Sequence, residues 1–207
     1  MTQLPVHREG VYGPYVVEAH HRREVWAYRT ALLLLALAQL GLLLQWRLCG
    51  SALLWPWLLA MVVCLGAALQ WVHIYLIPLH RALQLFWLLG SLGIAVLAVS
   101  AGPAGILPTL RQQPLWILAV GPFFAALTGL GFKEFFCFRR PEAIGLTLLL
   151  PLLLLGRLLG LLPDAVAGPL LAGEALLLLV LALRKLPVDF EADLGDLSVF
   201  SRLADPH

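Results

Sequence analysis

Along the chain, apolar residues gather into six long blocks: Tyr28 to Trp46, Ala52 to Leu76, Ala82 to Ala101, Pro114 to Phe132, Ala143 to Leu162 and Ala165 to Leu183. A helix needs roughly 20 mostly apolar residues to cross about 30 Å of hydrocarbon, and each block meets or approaches that length. The pattern predicts an all-α, polytopic membrane protein, a six-helix transmembrane bundle over residues 30–186. Only Pro163 and Asp164 part the last two blocks, so these should form a tight helical hairpin. Before the first block, Val17, His21, Val25 and Tyr28 recur at helical spacing within residues 1–29, which predicts a short amphipathic helix lying on the membrane surface. After the last block, residues 187–207 carry Asp189, Glu191, Asp193, Asp196 and Asp205 against one arginine. This acidic tail is expected to stay wet, with Phe190, Leu194, Leu197, Val199 and Phe200 leaving open a short docking helix.

Composition narrows the class. The 207 residues are 61% apolar and 13% charged, and the mean hydropathy is +0.89. A soluble domain carries about twice that share of charge, so the lipid bilayer is the expected surroundings, and an ordinary soluble enzyme, a nucleic-acid binder and a disordered chain are excluded. Charge placement then orients the bundle. With six spans, Arg8, Arg22, Arg23, Arg29, Arg81, Lys133, Arg139, Arg140, Arg184, Lys185 and Arg202 fall on one side, and Arg47, Arg111 and Arg157 on the other. Basic residues concentrate on the cytoplasmic side, so both termini should face the cytoplasm or stroma. Gly121, Ala125 and Gly129 on the fourth block, and Gly168 and Ala172 on the sixth, mark faces where helices can approach, within the bundle or between copies. Cys49, Cys64 and Cys137 are scattered and show no metal or disulfide spacing.

Ionisable groups at membrane depth are costly and so are the candidates for chemistry. Glu174 lies nine residues into the sixth block among leucines and alanines; it is either a proton relay or transport carboxylate, or a structural acid hydrogen-bonded to a neighbouring helix, with Gln39 of the first block as a partner. Near the end of the second block, Gln70, His73 and His80 share one helical face, with His80 two turns beyond His73. Such histidines stand too far apart for one metal, but His73 alone suits an axial ligand to haem or chlorophyll. The densest stretch is Gly129 to Glu142, where Lys133 and Glu134 lie among four aromatics, three of them following, then Arg139, Arg140, Pro141 and Glu142. Proline at a first turn followed by glutamate starts a helix well. Lys133 and Glu134 project about 100° apart, so each should find a separate partner. Lys133 is expected to snorkel to the headgroups, and Glu134 to face the bundle held by His73, His80, Arg81, Arg139 or Arg140.

The run Gly131-Phe-Lys-Glu-Phe-Phe-Cys-Phe-Arg-Arg-Pro-Glu-Ala143, followed by a leucine-rich span with Pro151 and Gly156, resembles an uncharacterised family of integral membrane proteins found in cyanobacteria and plastids, classified as a domain of unknown function. That resemblance implies a thylakoid or plasma membrane, and a partner-binding accessory or assembly factor of a photosynthetic membrane complex, with the polar cluster Lys133, Glu134, Arg139, Arg140, Glu142, Gln70, His73 and His80 as the contact. The alternatives are a small transporter or channel using Glu174, and a haem- or chlorophyll-binding protein using His73. No hydrolase, Walker or dinucleotide-binding pattern occurs, so no enzymatic activity is expected. The sequence names neither a cofactor nor an oligomeric state.

Overall fold

The computed structural model describes residues 6–102 and 104–204. Its main elements are a hairpin, β1 (Val6–Gly10) with β2 (Gly13–Val17), and the helices α1 (Ala19–Cys49), α2 (Trp55–Trp71), α3 (Ile77–Ala101), α4 (Ile106–Gln112), α5 (Trp116–Phe138), α6 (Pro141–Leu158), α7 (Asp164–Lys185), α8 (Phe190–Leu194) and α9 (Leu197–Ala204). Five of these, α1, α3, α5, α6 and α7, are long and apolar enough to cross a membrane. The expected second span is shorter. Helix α2 has 17 residues, about 26 Å at 1.5 Å per residue, and Val72 leaves it in an extended conformation. Residues 72–76 form a non-helical link, and Pro78 in the first turn of α3 starts that helix at Ile77 rather than at Ala82.

The expected surface helix before the first span is also corrected. Residues Ala19–Cys49 form one continuous helix, because nothing between Glu18 and the first block breaks it and a capping box joins Glu18 to His21. At 31 residues it spans about 46 Å, so its first turns rise out of the hydrocarbon layer. The preceding hairpin pairs Val6 with Val17 and Arg8 with Tyr15. Its signal in the sequence is two short β-prone runs around Gly10-Val-Tyr-Gly13, with Gly13 at a positive φ of 124°.

The acidic tail is not merely wet. Arg8 pairs with Glu191 at 2.8 Å, the Val11 amide donates to Asp196 at 2.7 Å, and the Tyr12 amide donates to Ser198 Oγ at 3.1 Å. Asp196 is therefore held below the usual aspartate range by the Val11 amide and Ser198. Leu194 closes a small core with Val17 and Val25, and the Asp196 amide donates to the Tyr75 hydroxyl at 2.5 Å. The first and last described segments thus meet at one end of the bundle, called here the termini end. Asp205 lies outside the described residues.

Helices approach most closely where α3 meets α5. A Cβ on Gly90 would fall 2.0 Å from the Phe123 nitrogen, and one on Gly93 2.1 Å from the Ala119 carbonyl. On α5 itself Gly129 makes the close contact its spacing predicts, since a Cβ there would fall 2.3 Å from the Leu83 side chain of α3. Gly121 and Gly168, expected at close contacts, face open space.

Candidate functional site

Two buried polar assemblies stand out. The first lies at the termini end, where α1, α5, α7 and α8 converge. Glu134, 1% exposed, receives a hydrogen bond from the Tyr28 hydroxyl at 2.6 Å, and its carboxylate lies 3.1 Å from Lys133 and 2.5 Å from Lys185. Lys185 also sits 2.5 Å from Asp193, whose other oxygen pairs with Arg29 at 2.6 Å. Arg29 completes its fork on the backbone carbonyls of Val188 and Asp189, at 2.8 and 3.0 Å. The Phe138 ring covers Lys185, 3.9 Å from its ammonium. Three cations meet two carboxylates here, nearly out of reach of water.

This arrangement corrects two expectations. Glu134 does face the bundle, but none of His73, His80, Arg81, Arg139 or Arg140 holds it; Tyr28, Lys133 and Lys185 do. Lys133 does not snorkel. It is 6% exposed and rests against its own neighbour's carboxylate. The reason is local: Arg139 takes a left-handed conformation past the end of α5 and Arg140 caps α6, so both basic side chains leave the bundle interior. Tyr28, Arg29, Lys185 and Asp193 were missed as partners because their basic members read simply as interfacial charge. The available signal was their common membrane level at the ends of the first and sixth blocks.

The other singled-out residues disperse around this core. Pro141 and Glu142 do open α6, and Glu142, 5% exposed, pairs with Arg184 at 2.8 Å. Gln70 is exposed at the end of α2. Because residues 72–76 leave the helix, Gln70, His73 and His80 share no face. The His80 ring Nε2 donates to the Leu69 carbonyl at 2.6 Å, joining α3 to α2. His73 lies in the link with its Nε2 3.5 Å from Glu24 and the Phe200 ring beside it; burial pulls its pKa below the usual histidine value.

The second assembly sits deeper. Gln39 donates its amide to the Glu174 carboxyl, joining α1 to α7. Gln39 is 2% and Glu174 0% exposed, yet Gln39 Oε1 and Glu174 Oε1 have no hydrogen-bond partner among the described residues. Gln39 also lines a cavity of about 220 Å³ that extends towards the far end of the bundle. Its walls are leucine, isoleucine, valine and phenylalanine from α1 to α7, and its mouth holds Trp46, Arg111, Arg157 and Asp164. The short helix α4 covers one side, with Arg111 lying 4.7 Å over the Trp46 ring. An apolar chamber with a few convergent polar groups is the usual form of a small-molecule site.

Comparison with known proteins agrees with this membrane architecture. Residues 67–202 match a family described as uncharacterized integral membrane protein, DUF2301, and the chain belongs to that family. The matched region runs from α2 to α9 and so contains Lys133, Glu134, Glu174, Lys185 and Asp193, while Tyr28, Arg29 and Gln39 precede it. No curated protein and no solved structure matches the chain.

Proposed function

We propose that this member of the uncharacterised integral membrane family is a small-molecule carrier that holds a largely apolar cargo inside the bilayer, in the chamber that Gln39 closes at its inner end. One observation carries the reading: Gln39, whose Oε1 is buried without a partner among the described residues, lines the inner end of an apolar cavity and hands its amide to Glu174 behind it. A buried acceptor without a donor costs about 1–3 kcal/mol, and a cargo hydroxyl or N–H at that position removes the cost. The accessory-factor reading gains less, because Lys133 and Glu134 are engaged by the chain's own helices and Glu142 pairs with Arg184, its Oε1 alone lacking a partner and lying outside the chamber lining. In the proposed orientation the termini end is cytoplasmic, supported by its 11 basic residues against three at the far end. Reporters at Gln112 and Asp164 should then report the side opposite the termini.

The test uses Gly168, which lines the chamber and has nothing within 4 Å of a Cβ, so a large side chain there fills the chamber without a clash at its base. Native mass spectrometry of the protein released from membranes should show a bound small molecule on the wild type and none on Gly168→Trp. Equal occupancy in both, or none in either, overturns the proposal.

A further inference from the structure

We infer that the cargo is a single-chain amphiphile with an anionic head group, bound with its chain in the chamber, its head between Arg111 and Arg157, and a hydroxyl or N–H on the inner end of its chain facing Gln39. The inference rests on the carrier reading and adds the cargo's class. Chamber depth comes from three helices independently. The lining runs from Gln39 to Trp46 on α1, from Leu150 to Arg157 on α6 and from Asp164 to Leu171 on α7. Each covers seven residue steps, or about 10 Å of rise. A volume of about 220 Å³ over that depth is a narrow bore, below the roughly 300–1,000 Å³ of pockets for drug-sized ligands. It suits one chain, not a two-chain lipid.

The sign of the head follows from the mouth. Two guanidinium groups face one carboxylate there: Arg157 lies 2.7 Å and Arg111 3.7 Å from Asp164. Arg157 places only Nη1 on protein acceptors, the Leu162 carbonyl and Asp164, so its Nε and Nη2 have no partner among the described residues. Arg111 makes no hydrogen bond among the described residues; it is oriented by the Trp46 face and keeps its outer N–H edge available. A pre-oriented guanidinium edge matches a carboxylate or phosphate through two parallel hydrogen bonds. The mouth also collects two of the three basic residues that the far end possesses, against the general distribution of charge. A head group there stays at the membrane surface while its chain is buried, so little desolvation opposes binding.

The experiment uses the full chain in lipid nanodiscs and two photoactivatable ten-carbon probes with a hydroxyl at the inner chain end, one with a carboxylic acid head and the other with an alcohol head. Cross-links are mapped by peptide mass spectrometry and normalised to lipid-facing Leu92, which is 55% exposed. The acid should label Leu97, Val120 and Leu150 about tenfold more than the alcohol, as expected for one charge-assisted hydrogen-bond pair. Arg111→Gln, at a half-exposed residue, should remove most of that excess. Decanoate and decyl phosphate as competitors then rank carboxylate against phosphate as the head. Equal labelling by acid and alcohol, both abolished by Gly168→Trp, keeps the carrier and overturns the anionic head, as does acid labelling unchanged in Arg111→Gln. Absence of chamber labelling by both probes overturns the carrier reading and this inference together.

Discussion

The two buried polar assemblies use the same residue types under opposite rules. At the termini end, the Glu134 carboxylate has Tyr28, Lys133 and Lys185 as partners, and Asp193 joins Arg29 to Lys185. At the inner end of the chamber, one amide–carboxyl contact joins Gln39 to Glu174 and leaves an acceptor on each side unmet. A buried network with every member engaged fixes a unique packing, while a half-engaged one weakens the fold unless something else completes it. The contrast assigns structure to the first and binding to the second.

The largest effect should therefore come from the termini end. Glu134→Ala strands Lys133, leaves Lys185 on Asp193 alone and should cost about 3–5 kcal/mol, read as a fall in thermal stability and in accumulated protein. Asp193→Ala, which leaves Arg29 and Lys185 facing each other's charge, should cost nearly as much. A loss under about 1 kcal/mol in both variants would erase the distinction between the assemblies. Next in size, the chamber pair should respond in the opposite sense to combined replacement. Gln39→Leu or Glu174→Leu alone should each cost about 1–3 kcal/mol, whereas the double leucine variant should regain wild-type stability or exceed it while losing cargo. A double variant less stable than either single one would make the pair structural.

Smaller still is Lys133→Met. It removes one of three cations from a site with two carboxylates and leaves Glu134 on Lys185 and Tyr28, so stability should change by about 1 kcal/mol or less. The weakest effect concerns His73. Its native pKa lies below 6.5 because burial disfavours the imidazolium, so the unfolded chain takes up the extra proton. Its contribution is fully present above pH 6.5 and is lost as pH falls from 6.5 through the lower native value. The thermal midpoint should drop slightly over that window, and His73→Phe should flatten the drop.

Much of the architecture was legible because hydropathy and proline act locally. The long apolar blocks, the α6 start at Pro141 and the Gln39–Glu174 contact all follow from residue type and depth. The early end of α2 was not, since Val72 to Leu76 are as apolar as the helix they follow and only Pro78 interrupts the pattern. The partners of Glu134 were hidden for a different reason. Tyr28 lies 106 residues before it and Lys185 51 after, and nothing periodic in a sequence links residues at such distances. The chamber was invisible too, being an absence of side-chain volume among seven helices rather than a property of any one.

The Arg29–Asp193 pair has a consequence for how the protein is made. Its members lie 164 residues apart, and at about 5–20 residues per second the first helix waits roughly 10–30 seconds for the carboxylate that neutralises it. Until then the nascent chain holds Arg29 at the membrane border without the carboxylate it pairs with in the fold. A ribosome that stalls before Asp193 therefore leaves a product whose first helix still shows a bare charge.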